Sequence, residues 1–375
     1  MKIKIAGHYT TKIGELWDQG LEDLLAEAVH GSLKNAQLAA EQIEAVFVAS
    51  KAPGEFNHQL HLNALVSQMF VHYPPAIRVE GACTAGGLAL VAAEQALAAK
   101  RYKTVMVIGA EKMTDQNALK TTEILSLAAD QNQEAGSSFP GLYALLAQAH
   151  MQKYGTTREQ LSAVAVKNHH QAMKNPQAHF HREFTLEQVS QSSLVADPLR
   201  LLDCSTISDG ASAVILSTDS SGVEKWRQKP QILGYGHAQD SLSLAGRESL
   251  TALKATQKAG KQAYQQAKVK PKEIQIAEVH DCFTIAEIMA IEDLGWFEKG
   301  EGGEATLAGK TAEDGQVAVN LSGGLKAFGH PIGTTGIKQV AFLAEQLEQG
   351  NYELALAHNV GGSGATAVVH VLAKN

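Results

Sequence analysis

The chain carries one order of segments twice. AVFVAS at 45–50 has a counterpart in IAEVHD at 276–281, VMVIGA at 105–110 in LALAHN at 354–359, and GASAV at 210–214 in GATAV at 364–368. In each half the order reads strand, helix, strand, glycine-rich turn, helix, strand, closing strand. Runs such as VMVIG are continuously apolar, the kind expected where both faces of a sheet are covered. Their alternation with helical patterns predicts a layered α/β architecture. The halves differ in one place: about 100 residues separate VMVIGA from GASAV, but only about five separate LALAHN from GATAV. A connection that long carries structure of its own. Residues from about 116 to 205 are therefore predicted to be a loop domain inserted into the first half, giving halves of 1–220 and 221–375.

Local patterns fill in this frame. A strand is predicted over residues 2–6, and a helix over 16–32 with Leu21, Leu24, Leu25, Ala28 and Val29 on one face. Further strands are predicted at 45–49, 76–79, 105–109 and 276–279, a buried helix after Cys83, and insertion helices over 142–154 and 158–173. Charged residues make up 19% of the chain, against about 25% in ordinary soluble proteins, so much of the surface should be buried, within layers or between subunits. A net charge of −7 and an isoelectric point near 6.1 argue against nucleic-acid binding. No apolar run approaches the roughly 18 residues that span a bilayer. The cysteines, Cys83, Cys204 and Cys282, are odd in number and far apart, which excludes a disulfide framework and points to a reducing compartment. The opening MKIKIAGHYT has neither an apolar leader core nor a transit pattern, so a cytoplasmic location is expected.

Three segments carry reactive side chains. Cys83 lies in VEGACTAGG, between a strand and a helix, where a helix N-terminus should favour the thiolate. The alternative is that a free cysteine is often an inert buried residue. His280 and Cys282 lie in VHDCF at the carboxyl end of a strand, where ligands bind in α/β sheets, with Asp281 as a candidate helix cap. His330 lies in the glycine-rich SGGLKAFGHPIGTTG, a loop able to set backbone N–H groups and an imidazole beside a reacting group. A second glycine turn, HNVGGSGATAVV, offers N–H groups for an oxyanion. Between His150 and Arg182 the insertion holds Lys153, Arg158, Lys167, Lys174 and Arg182 against a single Glu159, a local basic excess that suits an anionic ligand or, equally, a solvated face. Its histidines His169, His170, His179 and His181 have no compact metal-ligand spacing, so no metal site is expected. Asp209-Gly210 reads as a turn into a strand, and Cys204 as structural.

Taken together, GACTAGG, GGLKAFGHPIGTTG and VHDCFT resemble the thiolase superfamily, over the whole chain. The VHDCFT segment is similar to the subgroup of sterol-carrier-protein-2-like thiolases and archaeal acetoacetyl-CoA thiolases. The segments FPGLYALLAQAHMQKYGTT and AVKNHHQAMKNPQA also resemble the loop domain of that subgroup. Other thiolases carry Asn-Glu-Ala-Phe in place of VHDCF and a second cysteine in the last glycine loop; here Asn359 stands in that loop and Cys282 supplies the second thiol. The resemblance implies a five-layer α-β-α-β-α fold with two mixed sheets. It implies Claisen condensation of two acetyl-CoA to acetoacetyl-CoA and CoA, or the reverse thiolysis, with no permanently bound cofactor. It assigns Cys83 as the acylated nucleophile, His330 as the base that takes its proton, Cys282 as the acid/base of the second half-reaction, and His280 as an enolate stabiliser. The N–H groups of Cys83 and Gly361 would hold the oxyanion. Such an enzyme needs a site for the phosphates of CoA, and the basic insertion residues Lys167, Lys174 and Arg182 are the candidates. The resemblance further implies a homodimer, or a dimer of dimers, in which residues 105–109 pair across a two-fold axis. Relatives in the subgroup also assemble with a small zinc-ribbon and OB-fold protein and with hydroxymethylglutaryl-CoA synthase. The motif departs at Ala85, where Cys-x-Ser is common, which removes a hydroxyl near the nucleophile. Competing readings are a ketosynthase-like condensing enzyme, a thiolase-like retro-aldolase, and a non-catalytic lipid or partner scaffold. The first lacks the Cys282 and GHPIG pair, the second has typically lost the nucleophile, and the third has no use for four reactive side chains.

Overall fold

The computed structural model describes residues 2–218 and 221–375. The first half runs β1 (Ile3–Thr10), α1 (Leu21–Ala36), β2 (Ala45–Ala49), the short α2 (Pro53–Asn57) and α3 (Leu62–Ser67), β3 (Ala76–Val79), α4 (Ala85–Ala98) and β4 (Thr104–Glu111). The insertion follows with α5 (Ala118–Ser126), α6 (Phe139–Tyr154), α7 (Arg158–Ala172), α8 (Leu186–Ser190) and the small hairpin of β5 (Leu194–Ala196) and β6 (Leu199–Arg200). β7 (Gly210–Thr218) closes the half. The second half repeats the order: β8 (Gln231–Gln239), α9 (Lys254–Ala267), β9 (Ile276–Glu278), α10 (Thr284–Asp293), α11 (Gly302–Leu307), β10 (Ala318–Val319), α12 (Thr335–Gln349), β11 (Leu354–Gly361) and β12 (Thr366–Ala373).

Strand order is β10-β9-β11-β12-β8-β1-β7-β4-β2-β3, so each half contributes five strands in the same relative order. The two mixed sheets expected are present but not separate. β1 and β8 meet antiparallel over two residue pairs, Ile3 with Ile232 and Lys4 with Gln231, joining the sheets edge to edge. Between them lie α4 and α12, whose Leu90, Leu97, Val340 and Leu347 share one core with Val105, Val107 and Ile276 of the strands. On the outer faces α1 covers the first sheet, through Leu24, Leu25 and Val29, and α9 and α10 cover the second, through Ala259, Ala263 and Ile291. That is the five-layer arrangement.

The central helices cross where side chains are missing. A Cβ on Gly336 would lie 2.4 Å from the backbone nitrogen of Gly87. α4 and α12 are thereby brought close enough to set both of their N-terminal turns at one point.

The insertion is held by its own caps and by the second half. Ser138 caps α6, and Thr157 opens α7 in a capping box with Gln160. Leu142, Leu146 and Val164 pack on Phe283, Ile285 and Ile288 at the start of α10. The insertion therefore roofs the loop that carries Cys282.

Element boundaries shift modestly from those read in the sequence. α1 begins at Leu21 rather than 16, because residues 12–20 run through a bridge between Gly14 and Asp209. One expectation is overturned. β4 is hydrogen-bonded to β2 on one side and β7 on the other, so residues 105–109 cannot pair across a two-fold axis. The free edge of the first half is β3, with Ile77 56% exposed. Among the described residues, no helix is long and apolar enough to cross a membrane.

Candidate active site

Three loops meet at the ends of the central helices. Cys83 occupies the 3₁₀ turn Ala82–Thr84 that leads into α4. Ala82 is held at φ 52, in the left-handed region, and its N–H donates to Glu80 Oε1 at 2.6 Å. His280 and Cys282 lie in the loop between β9 and α10, and His330 follows the wound turn 324–328 ahead of α12. The Cys83 sulfur and one ring nitrogen from each of His280 and His330 lie within 4.8 Å of one another. The imidazole rings stand edge to face with centroids 5.1 Å apart. Cys83, Cys282 and His330 line one cavity of about 350 Å³, closed by Phe139, Tyr143 and Met113. A second cavity of about 310 Å³ meets it at Lys51, Ala128 and Gly362.

Hydrogen bonds give the two imidazoles opposite tautomers. Thr335 donates its hydroxyl proton to Pro331 O at 3.1 Å, so at 2.7 Å it accepts from His330 Nδ1–H. His330 Nε2 is then the basic nitrogen. Asn359 Oδ1 accepts from Gly87 N at 3.1 Å, which orients its amide; Nδ2 then donates to Cys83 O at 2.8 Å and towards His280 Nδ1 at 3.3 Å. His280 therefore carries its proton on Nε2, which is buried and has no hydrogen-bond partner among the described residues.

Burial governs the charge state. It pushes the Cys83 thiol up from its ordinary value, against the pull of the Lys51 ammonium and the Gly362 N–H. The lowered thiol expected from the helix N-terminus is thus reversed in the resting site: desolvation exceeds the terminus effect. Burial leaves Cys282 well above the usual thiol range, against the pull of the Tyr143 hydroxyl beside it. Burial and then Lys338 push His330 down to about 3. His280 lies well below its ordinary value through burial, then His330, His358 and Lys338. The resting site is two thiols and two neutral imidazoles.

Within the last glycine turn, the backbone N–H that reaches the Cys83 thiol belongs to Gly362. Gly361 serves by being small: a Cβ there would lie 3.0 Å from Gly81 O and from Thr84 Oγ1. Asp281 is not the cap of α10; it accepts from Leu325 N at 2.6 Å, Lys326 N at 3.2 Å and Asn168 Nδ2 at 2.8 Å, so it ties the His330 loop to the insertion. The basic residues of the insertion do not form one cradle. Lys167 is buried against Glu287 at 2.6 Å, Lys174 pairs with Glu313, Arg182 lies over the Phe184 ring at 4.9 Å, and Arg158 grips Asp203 with both nitrogens. None of Lys167, Lys174 and Arg182 lines the cavity of Cys83. The histidines of the insertion disperse in the same way, His170 pairing with Glu183 and His179 with Ser208.

Several site residues escaped sequence reasoning. Glu111, fully buried at the end of β4, accepts from Ser50 Oγ, Lys51 N, Ala52 N and Gly333 N at 2.8–3.1 Å. It locks the loop after β2 to the loop after His330. Asp209 is a second hub, fully buried and taking Lys112 Nζ, Met113 N, Thr114 N and Leu16 N. Lys51 donates to Ile124 O at 2.5 Å and lines both cavities. The repeat did hold a signal for it: where AVFVAS aligns with IAEVHD, Lys51 aligns with Cys282.

Comparison with known proteins agrees with this geometry. Residues 3–220 match the family model described as thiolase, N-terminal domain, and residues 236–374 the one described as thiolase C-terminal domain-like. An acetyl-CoA acetyltransferase of Methanothermobacter thermautotrophicus is 44% identical over 99% of both chains. A benzoylsuccinyl-CoA thiolase subunit, BbsB, of Thauera aromatica is 33% identical over 92% of this chain and 89% of its own. Among solved structures, an Ltp2-ChsH2(DUF35) aldolase superposes with a TM-score of 0.84 at 22% identity, over 100% of this chain and 98% of that one, a likeness of fold.

Proposed function

The chain belongs to the thiolase family, and from that membership we propose that its central cavity condenses two acetyl-CoA to acetoacetyl-CoA and CoA, and runs the reverse thiolysis, through an acyl-enzyme on Cys83. The observation that carries the reading is the clustering of Cys83, His280 and His330 within 4.8 Å, with Cys282 on the wall of the same cavity.

Each half-reaction follows from the protonation states. His330 Nε2 takes the Cys83 proton as the sulfur attacks the thioester carbonyl. The tetrahedral oxyanion is held by the N–H groups of Cys83 and Gly361, the latter in the glycine turn whose Gly362 N–H reaches the thiol. As the carbonyl re-forms, the C–S bond to CoA breaks and the Cys282 thiol protonates the departing sulfur. Its raised pKa keeps Cys282 protonated in the resting site, so that a proton is there to give, and makes the thiolate left behind a strong base. That thiolate takes an α-proton from the second acetyl-CoA, and the enolate oxygen meets His280 Nε2–H. The enolate carbon attacks the acetyl group and expels Cys83 sulfur, which recovers its proton from His330. The net change is two acetyl-CoA to acetoacetyl-CoA and CoA, with all four groups reset.

Labelled acetyl-CoA tests the assignment. Cys83→Ala should form no acyl-enzyme; Cys282→Ala should acylate, yet neither condense nor exchange the α-proton. Near-normal turnover by Cys282→Ala would remove that residue from the mechanism. The halves 1–220 and 221–375 are proposed to act as one unit, since the site draws on both. The uncovered β3 edge favours pairing with a second copy. An acyl-CoA enzyme with three free cysteines fits a cytoplasmic setting. A small zinc-ribbon and OB-fold protein is proposed as a further partner; the aldolase of like fold carries a DUF35 component in its name, and BbsB is named as a subunit.

A further inference from the structure

One guanidinium grips the last glycine turn from outside the cavity. Arg247 follows the single 3₁₀ turn Leu244–Gly246, between β8 and α9. Its Nη1 donates to Ser363 O at 2.7 Å, its Nη2 to Ser363 Oγ at 3.0 Å and its Nε to Ser241 O at 3.3 Å. Gly364 leaves room for this approach, since a Cβ there would lie 3.2 Å from Nη1. Hydrogen bonds from a charged donor are stronger than neutral ones, and the planar fork fixes direction as well as distance. Arg247 is itself anchored to the insertion: Leu244 N, three residues earlier, donates to the buried Glu134 at 2.7 Å.

Peptide geometry transmits the grip. In a trans peptide the C=O and N–H point to opposite sides, and the peptide units of this turn are trans. Ser363 O faces Arg247, so the Gly364 N–H of the same unit faces the other way and donates to Gly361 O at 3.2 Å. Ala365 N donates to that oxygen at 3.1 Å. Gly361 O shares its own unit with the Gly362 N–H, which is thereby turned from these donors towards Cys83. Close packing confirms the approach: a Cβ on Gly361 would lie 3.0 Å from Gly81 O, two residues before the nucleophile, and Gly362 lines the Cys83 cavity. Two peptide units therefore connect the guanidinium to the nucleophile. Gly362 and Gly364 stand at φ 61 and 110, where glycine is almost indifferent between alternatives, so the turn keeps one orientation only if it is held. Tyr143 holds the intervening Gly362 O at 3.2 Å, which leaves the Ser363 unit to Arg247.

We propose that Arg247 is a positioning residue for acyl transfer, which holds Ser363 so that the N–H groups of the 361–364 turn stay aimed at Cys83 and meet the oxyanion already in place. Donors fixed beforehand need no reorganisation as the charge develops. The inference rests on the assignment of Cys83 as the acylated nucleophile and of Gly361 as an oxyanion donor.

Three measurements on the full-length protein test it: single-turnover transfer from labelled acetyl-CoA, alkylation by iodoacetamide, and amide hydrogen exchange. Arg247→Ala should slow acetyl transfer to Cys83 by roughly 10²-fold, the size of a lost oxyanion donor. KM for acetyl-CoA should hardly change, because that donor acts on the transition state. Alkylation is a displacement at saturated carbon that builds no oxyanion, so it should slow far less; a merely structural role would lower both rates together. Arg247→Lys, which keeps the charge but not the fork, should fall between the two. Guanidinium at a non-denaturing concentration should restore part of the rate to Arg247→Ala and none to the parent protein. Exchange reads the turn without reference to turnover: the Gly364 and Ala365 amides should exchange faster in Arg247→Ala, while those of β12 keep their parent rates. Equal losses of acylation and alkylation, parent-like acylation, or parent-like exchange in a folded variant would each overturn the proposal. Should Arg247→Ala fail to fold, Arg247→Lys carries the same measurements. Parent protein that is alkylated but takes up no acetyl group, with turn amides that still loosen in Arg247→Ala, would count against the functional assignment and leave the hold of Arg247 on the turn standing.

Discussion

Asn359 shows how one side chain can set the chemistry of another without touching substrate. Its amide is fixed by the Gly87 N–H, and it then holds the Cys83 carbonyl and His280 Nδ1 together. Removing it frees the His280 tautomer and loosens the nucleophile turn. Asn359→Ala should lower kcat by roughly 10²-fold, the size expected when an oxyanion donor is disordered, with little change in KM, because ground-state binding does not use that donor. A loss below about threefold in steady-state assays would show that His280 keeps its tautomer unaided. His280, Cys282, Cys83 and His330 were legible in the sequence because each sits in a short motif at an element boundary. Glu111 and Lys338 were not: an acid ending a strand and a lysine within an amphipathic helix look ordinary until burial is known.

At the scale of elements, the site is made by the crossing of α4 and α12. Gly87 and Gly336 let the two helices touch, and a methyl group on Gly336 would also lie 2.5 Å from Asn359 Oδ1. Gly336→Ala should destabilise the protein by about 1–3 kcal/mol, the cost of overpacking, and should slow Cys83 alkylation as the turn shifts. A thermal melt and an alkylation time course on one sample check both; an unchanged melt would mean the helices part freely. The insertion plays a different part. Periodicity placed α7 to within a residue and α6 but for its first turn, and missed α5 and α8; the pairing of its basic residues with Glu287, Glu313 and Asp203 was not readable, since it occurs across elements that the sequence does not place together.

Two consequences belong to the whole molecule. The first is assembly: β3 leaves its outer backbone edge open and Ile77 56% exposed, a template for a second chain. The proposed pairing predicts a dimer that Ile77→Lys turns into a monomer in sedimentation; a parent protein that sediments as an active monomer would contradict it. The second is the response to acid. His169, His330 and His358 are each held down to about 3, and His280 well below its usual value, whereas an unfolded imidazole titrates near 6.5. Their contribution is complete above about pH 6.5 and is lost as pH falls towards 3, because the unfolded chain takes up protons that the folded one refuses. Glu278 at about 7 and Asp281 at about 6 act in the opposite sense, favouring the fold more as pH drops through those values. Between pH 7 and 5 the imidazoles outweigh the carboxyls, so Tm should fall over that interval. His169→Gln, outside the active site, should flatten the slope; an equally steep slope would place the acid sensitivity elsewhere.

The duplication, the insertion and the reactive motifs were all readable in one dimension, because strand and helix periodicities and glycine turns are local consequences of side-chain order. Locality also explains the failures. That the Gly362 N–H reaches the Cys83 thiol was not readable, because β11 and β12 pair up to Gly361 with Thr366 and the chain turns only beyond that pair. β3 rather than β4 is the edge because crossover connections set strand order, and nothing within either strand records it. Cys83 is a thiol at rest because burial in the packed site outweighs the helix terminus that its sequence position advertises. What a residue is came from the sequence; what it faces, and how much water remains around it, was decided by which distant segments folded against it.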